Sequence, residues 1–371
     1  MDRQPWPPEA VRTALHDARS KDLSFAQGEI LGSMCTEPHA LAQEVYGWFL
    51  PTNLGDPDHF PGTAQLERDV LADLAQLVSA PGAEHARFLT GGTEANLQAC
   101  YLARETTGRN QVVISGAAHF SFEKATRMLG MELIRVPAGD DLRSDPDAMA
   151  AAISDDTALV VAIAGSTELG LVDDIPAIAA AAQRVGAHCH VDGAFGGYVL
   201  PFLEIPWDLR VPGVTSVALD PHKMGMAPVP AGALVVADAS IWQATAVETS
   251  YVSTDSQSTL MGTRPGAAVA ATWAAHRATG LDGYESNAHR CIASAKRLAQ
   301  GLKARGASLV AEPELNVVTF HHGDVKSRHA RLMSAGFRLN IVPRFEALRI
   351  VVGPHVTDDI IDRFLESYDQ G

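Results

Sequence analysis

Three short stretches of the chain carry side chains that could do chemistry together. The first, Thr90-Gly91-Gly92-Thr93-Glu94-Ala95-Asn96, opens a helix expected to run to about residue 107 and stop at Gly108. Glycines let backbone approach an anion, and the unpaired N–H groups of a helix start favour negative charge. Thr93 adds a hydroxyl donor. The second, His190-Val191-Asp192-Gly193-Ala194-Phe195-Gly196-Gly197, ends a predicted strand. Open α/β sheets bind ligands at such ends, and an aspartate there can hold a proton on a heterocyclic nitrogen. The third is Leu219-Asp220-Pro221-His222-Lys223-Met224-Gly225, again just past a β-type run. A lysine among Pro, His, Met and Gly is no part of a solvated charged face. Desolvation is expected to lower its pKa and free the amine to attack a carbonyl.

Singly, each stretch has a plainer explanation: a glycine turn with a threonine cap, a solvated aspartate at a loop start, a surface lysine. Jointly they match one ligand. Pyridoxal 5′-phosphate needs a cradle for its phosphate, an anion for its ring nitrogen and an amine for its aldehyde carbon.

The elements that must position these groups are legible in outline. Apolar residues at helical spacing (Leu66, Val70, Leu74, Leu77, Val78) predict a helix over 63–79, with Thr63 as its cap. Beyond it, β-type runs at 111–115, 132–136, 158–164, 188–192, 214–219 and 233–237 alternate with helical stretches such as 175–185. That alternation predicts an α/β fold with a mostly parallel sheet covered on both faces. After residue 262 the pattern changes to helices at 265–279 and 284–305, β-type runs at 316–320 and 348–352, and a closing helix at 357–368. We therefore expect an N-terminal segment (1–50), a large cofactor-binding domain (51–262) and a smaller α+β domain (263–371).

Bulk properties narrow the partners. The 371 residues carry a formal net charge of −15, which argues against a nucleic-acid partner. Cys35, Cys100, Cys189 and Cys291 show neither zinc-type nor disulfide-framework spacing. The first residues lack a signal-peptide stretch, and no apolar run nears the roughly 20 residues of a membrane span. The expected place is the cytoplasm, away from membranes.

From Gly32 onward the chain resembles the group II pyridoxal-phosphate amino-acid decarboxylases, most closely their short archaeal-type tyrosine/aspartate decarboxylase branch. Carrying the resemblance are Leu31-Gly32-Ser33-Met34-Cys35-Thr36, Asn53-Leu54-Gly55-Asp56-Pro57, Phe60-Pro61-Gly62-Thr63, the Gly-Gly-Thr-Glu-Ala-Asn run and Ala118-His119-Phe120-Ser121-Phe122. Gly165-Ser166-Thr167-Glu168-Leu169-Gly170, Asp220-Pro221-His222-Lys223, Gly262-Thr263-Arg264 and Ala347-Leu348-Arg349-Ile350-Val351 complete it. The resemblance implies fold type I and a homodimer with shared active sites. Lys223 would be the imine lysine, Asp192 the partner of the ring nitrogen and His119 the residue stacked on the ring. Gly92, Thr93 and His222 would bind the phosphate, helped by Thr263 of the other subunit, and Thr167 and Ala194 would pack near the cofactor. Tyr251 is the candidate acid for the α-carbon, with His119 and Lys223 as rivals. Arg349 would grip the substrate carboxylate, and Asn53 and His39 would line the side-chain pocket.

Two departures stand out. Many relatives read Asp-Ala-Ala where this chain has Asp192-Gly193-Ala194, expected to alter backbone freedom more than chemistry. Asp220 would repel a phosphate and is not assigned to it. The substrate is left open among tyrosine, aspartate and others, free or carrier-tethered; for an acidic one, Arg344 or Arg264 could supply a cation. Two other outcomes remain open: a different reaction on the same scaffold, such as transamination or carbon–carbon cleavage, and a non-catalytic interaction subunit.

Overall fold

The computed structural model describes residues 4–369. Its centre is a seven-stranded sheet of β1 (Ala86–Leu89), β2 (Gln111–Ser115), β3 (Glu132–Val136), β4 (Thr157–Ile163), β5 (His188–Asp192), β6 (Val214–Leu219) and β7 (Gly232–Val236). The spatial order is β1-β7-β6-β5-β4-β2-β3. Only β7 runs against its neighbours; the β6-β5-β4-β2-β3 pairs are parallel. Every residue of β4 is buried, as a strand covered on both faces requires.

Helices fill the connections. Before the sheet come α1 (Pro8–Arg19), α2 (Ala40–Trp48) and α3 (Pro61–Leu77). Between its strands lie α4 (Gly92–Thr107), α5 (Ser121–Leu129), α6 (Pro146–Ala152) and α7 (Ile175–Arg184). The expected cap of α3 is displaced. Pro61 takes the first turn, where its missing N–H costs nothing, and Thr63 is buried inside the helix. Gly108 ends α4 in the left-handed conformation.

Past a two-stranded hairpin, β8 (Val247–Glu248) and β9 (Ser256–Gln257), one long helix, α8 (Gly266–Lys303), replaces the two expected. Gly280, at φ 63° and ψ 171°, bends it where those two would have met. A four-stranded antiparallel sheet follows, in the order β10 (Ser308–Leu309), β11 (Val317–His321), β13 (Ala347–Val351), β12 (Asn340–Val342). With α9 (Val325–Ser334) and α10 (Asp358–Asp369) it closes over Leu298, Leu302, Phe320 and Phe364. The segment before α2 is stitched to this sheet: Val351 N donates to Leu31 O at 2.7 Å, and Leu31 N to Arg338 O at 2.8 Å.

Candidate active site

The C-terminal ends of five strands converge on one cavity of about 330 Å³. β1 delivers the Gly91–Gly92 turn, β2 His119, β4 Thr167, β5 Asp192 and β6 the Asp220–Lys223 loop, and all of these line it. This is where an open α/β sheet presents ligands.

The glycine turn is built for close approach. Gly91 has φ +156°, and a Cβ on Gly232 of β7 would lie 2.3 Å from its Cα, so two backbones touch where side chains cannot fit. A Cβ on Gly92 would fall 2.9 Å from the Ala194 Cβ and 3.0 Å from Asp220 Oδ2. No side chain caps the start of α4. Glu94 is drawn back instead, accepting from Thr90 N at 2.8 Å and Thr90 Oγ1 at 2.6 Å. The first N–H groups of a sixteen-residue helix are thereby left facing the cavity.

Asp192 is buried, accepting from Asn96 Nδ2 at 2.9 Å and Ala194 N at 3.2 Å. His222 accepts at Nδ1 from Ala231 N at 3.1 Å, and burial holds its pKa below the ordinary histidine value. Lys223 corrects an expectation. Burial does work against its charge, but the carboxylates of Asp220 and Asp192 outweigh it and leave the pKa above that of an ordinary lysine. Its Nζ lies 3.0 Å from Asp220 Oδ2. The other Asp220 oxygen is buried without a hydrogen-bond partner. Thr36 Oγ1 donates to the Lys223 carbonyl at 2.6 Å and fixes the loop from the N-terminal side.

These groups fit pyridoxal phosphate: an uncapped helix start for an anion, a buried carboxylate for a ring nitrogen, and an amine on the same cavity. The cavity volume lies in the range of small-molecule sites. The pyridoxal-dependent decarboxylase conserved domain matches residues 33–322. The chain belongs to that family. Its cofactor is pyridoxal 5′-phosphate, and it is an amino-acid decarboxylase of fold type I.

Among relatives, the decarboxylase is 40% identical over 353 residues to a probable L-tyrosine/L-aspartate decarboxylase of Methanothermobacter thermautotrophicus, covering 92% of this chain and 97% of that one. It is 40% identical over 371 residues to an L-aspartate/L-glutamate decarboxylase of Pyrococcus horikoshii, covering 97% and 96%. Among solved structures, a sphingosine-1-phosphate lyase of Burkholderia pseudomallei superposes with a TM-score of 0.89 at 26% identity, over 99% of this chain and 91% of that one.

The remaining residues singled out in the sequence fall in different places. Gly92, Thr93, His119, Thr167, Asp192, Ala194, His222 and Lys223 surround the cavity. Tyr251 and Thr263 do not line it. Both are on the chain's exterior, Tyr251 at 88% exposure in the loop joining β8 and β9. His39 caps α2, accepting from Leu41 N, and Asn53 accepts from Gly55 N; neither lines the cavity. Arg349 is buried on β13, donating to Thr167 O at 2.6 Å, Gly32 O at 2.8 Å and Asn340 Oδ1 at 3.0 Å. All three acceptors are neutral, its Nε has no partner, and among the described residues no carboxylate pairs with it. Burial accordingly pulls its pKa down, against the attraction of Glu168. Arg264 is tied to Glu67 away from the cavity; Arg344 is paired with Glu168, Nη1 to Oε2 at 3.5 Å, and donates to Gly116 O at 3.2 Å, beside the Ala117 wall.

Gly193 has a different reason to be glycine than backbone freedom. A Cβ there would meet Ala218 O at 2.9 Å and Trp207 Cζ3 at 3.0 Å, so the requirement is space. Sequence reasoning gave no role to Asn96, Ser121 and His190, which surround Asp192 and His119. Their signals are spacing: His190 shares a strand face with Asp192 two residues on, and Asn96 is a poor helix former inside a helix.

Proposed function

We propose that the decarboxylase acts on a small L-amino acid with an acidic side chain, aspartate before glutamate or tyrosine, and releases its α-carboxylate as CO₂. The observation that carries this is the convergence of the Lys223 amine, the Asp192 carboxylate and the uncapped glycine turn on one cavity. Bound pyridoxal phosphate supplies the sink for the electron pair left behind by CO₂. Lys223 would hold the cofactor through Nζ, and Asp192 would keep a proton on its ring nitrogen. Gly92, Thr93 and His222 would hold the phosphate, Thr167 and Ala194 would pack beside the ring, and His119 would limit its tilt. Arg349, a buried cation lacking a counter-carboxylate, would orient the substrate carboxylate. The preference for aspartate rests on the names of both relatives and on Arg344 beside Gly116.

Tyr251 and Thr263 would serve the cavity of a second copy, Tyr251 as acid for the α-carbon. The exposed Trp48, Leu50 and Met261, with an α1 that buries none of its residues, support a homodimer. A cytoplasmic location fits four free cysteines. A second reading, carbon–carbon cleavage, draws on the name of the structural relative.

Incubating the holoenzyme with L-aspartate, L-glutamate and L-tyrosine should release CO₂ and amine in equal amounts, fastest with L-aspartate. Keto-acid formation, aldehyde release without CO₂, or activity on tyrosine alone would overturn the assignment. Lys223→Ala should lose the covalent chromophore; its retention would refute the lysine's role.

A further inference from the structure

Beneath the cavity runs a buried chain of hydrogen bonds that the reaction as outlined leaves unused. Ser216 Oγ lies 2.8 Å from His190 Nδ1, and His190 Nε2 lies 3.0 Å from Asn96 Oδ1. Asn96 Nδ2 contacts both Asp192 Oδ2 and Ser121 Oγ at 2.9 Å. Ser121 Oγ lies 2.9 Å from His119 Nδ1, and Ser121 N donates to the same nitrogen at 3.3 Å.

Only one assignment of protons satisfies every link. The Asp192 carboxylate only accepts, so the Asn96 amide must turn its NH₂ toward Asp192 and its oxygen toward His190. His190 must then donate from Nε2 and accept at Nδ1 from the Ser216 hydroxyl. Ser121 Oγ accepts one of the two Asn96 amide hydrogens and has its own proton for His119. His119 Nδ1 thus faces two donors and can hold no proton. Its Nε2, without a partner among the described residues, carries the hydrogen of the neutral ring. Burial pulls both rings below the usual histidine pKa, His190 to about 4, in agreement with two neutral imidazoles.

We propose that Asn96 and Ser121 are positioning residues that lock His119 as the neutral Nε2–H tautomer, with Asp192 and His190 fixing the direction of the chain. His119 then acts as an orienting hydrogen-bond donor, and a neutral Nε2–H is too weak an acid to protonate the α-carbon. This consequence rests on the proposed place of His119 over the cofactor; the tautomer itself does not.

The test reads imidazole nitrogens in ¹⁵N-histidine-labelled protein, the His119 signals being identified by their loss in His119→Gln. The wild type, with and without cofactor, should show a protonated Nε2 and an unprotonated Nδ1 at neutral pH. Ser121→Ala, which leaves only the longer backbone N–H contact on Nδ1, should admit a fraction of the other tautomer and lower kcat about tenfold at little change in KM, the scale of one lost hydrogen bond. Ser121→Thr, which keeps the hydroxyl, should restore both. A proton on Nδ1 in the wild type, or a Ser121→Ala spectrum identical to it, would overturn the proposal. Covalent cofactor attachment is followed on the same samples: its absence would sink the role of Lys223 while the nitrogen spectra still judge the tautomer.

Discussion

At the scale of single residues, the two aspartates of the cavity have opposite prospects. Asp192 is engaged by an amide and a backbone N–H, so its charge is held in a fixed direction. Asp220 has one oxygen on Lys223 and the other bare. An anion beside an ammonium favours the charged form, and a charged amine cannot attack an aldehyde. Removing that anion must therefore lower the Lys223 pKa and enlarge the neutral fraction at any given pH. Asp220→Asn is expected to take up pyridoxal phosphate faster at neutral pH, and to extend covalent attachment to more acidic solution, as followed by chromophore absorbance. Attachment that shifts toward alkaline pH would contradict the ion-pair account.

At the scale of elements, the short turn after β5 is where space governs sequence. The Gly193 position is walled by the Ala218 carbonyl and the fully buried Trp207 ring. Gly193→Ala should destabilise the fold by about 1–3 kcal/mol, the usual cost of overpacking, as measured by thermal or denaturant unfolding. In a Trp207→Phe background the same change should cost less, a coupling that a double-mutant cycle would detect. The sequence could reveal the glycine but not its wall, because Trp207 approaches from a loop fourteen residues away. The same limit explains the rest. Strands β2, β3 and β6 were legible because five or six apolar-rich residues bounded by turn signals announce themselves. The two- and three-residue strands β10 and β12, the four-residue β1 and the reversed direction of β7 were not, since pairing alone creates them. Lys223, Asp192 and the glycine turn were legible for their chemistry. Their support from Asn96, Ser121 and Thr36 depends on contacts between distant segments, and spacing gave at most a hint of it.

At the scale of the whole molecule, the hairpin of β8 and β9 holds Tyr251 on the outer surface, while Lys223 lies at the heart of the same chain. If each cavity borrows Tyr251 from a second copy, two crippled variants can repair each other. Lys223→Ala and Tyr251→Phe, each inactive as a homodimer, should regain about a quarter of wild-type activity when co-expressed, since half the dimers are mixed and one of their two cavities is intact. No recovery, with mixed dimers verified by tagged purification, would place the proton donor within the subunit. Shared in that way, the outward-facing loop would also make catalysis a matter of stoichiometry in the test tube. Diluted until the copies part, every protomer would retain its prosthetic group and lose its proton source, so turnover per molecule would fall with concentration while the colour stayed.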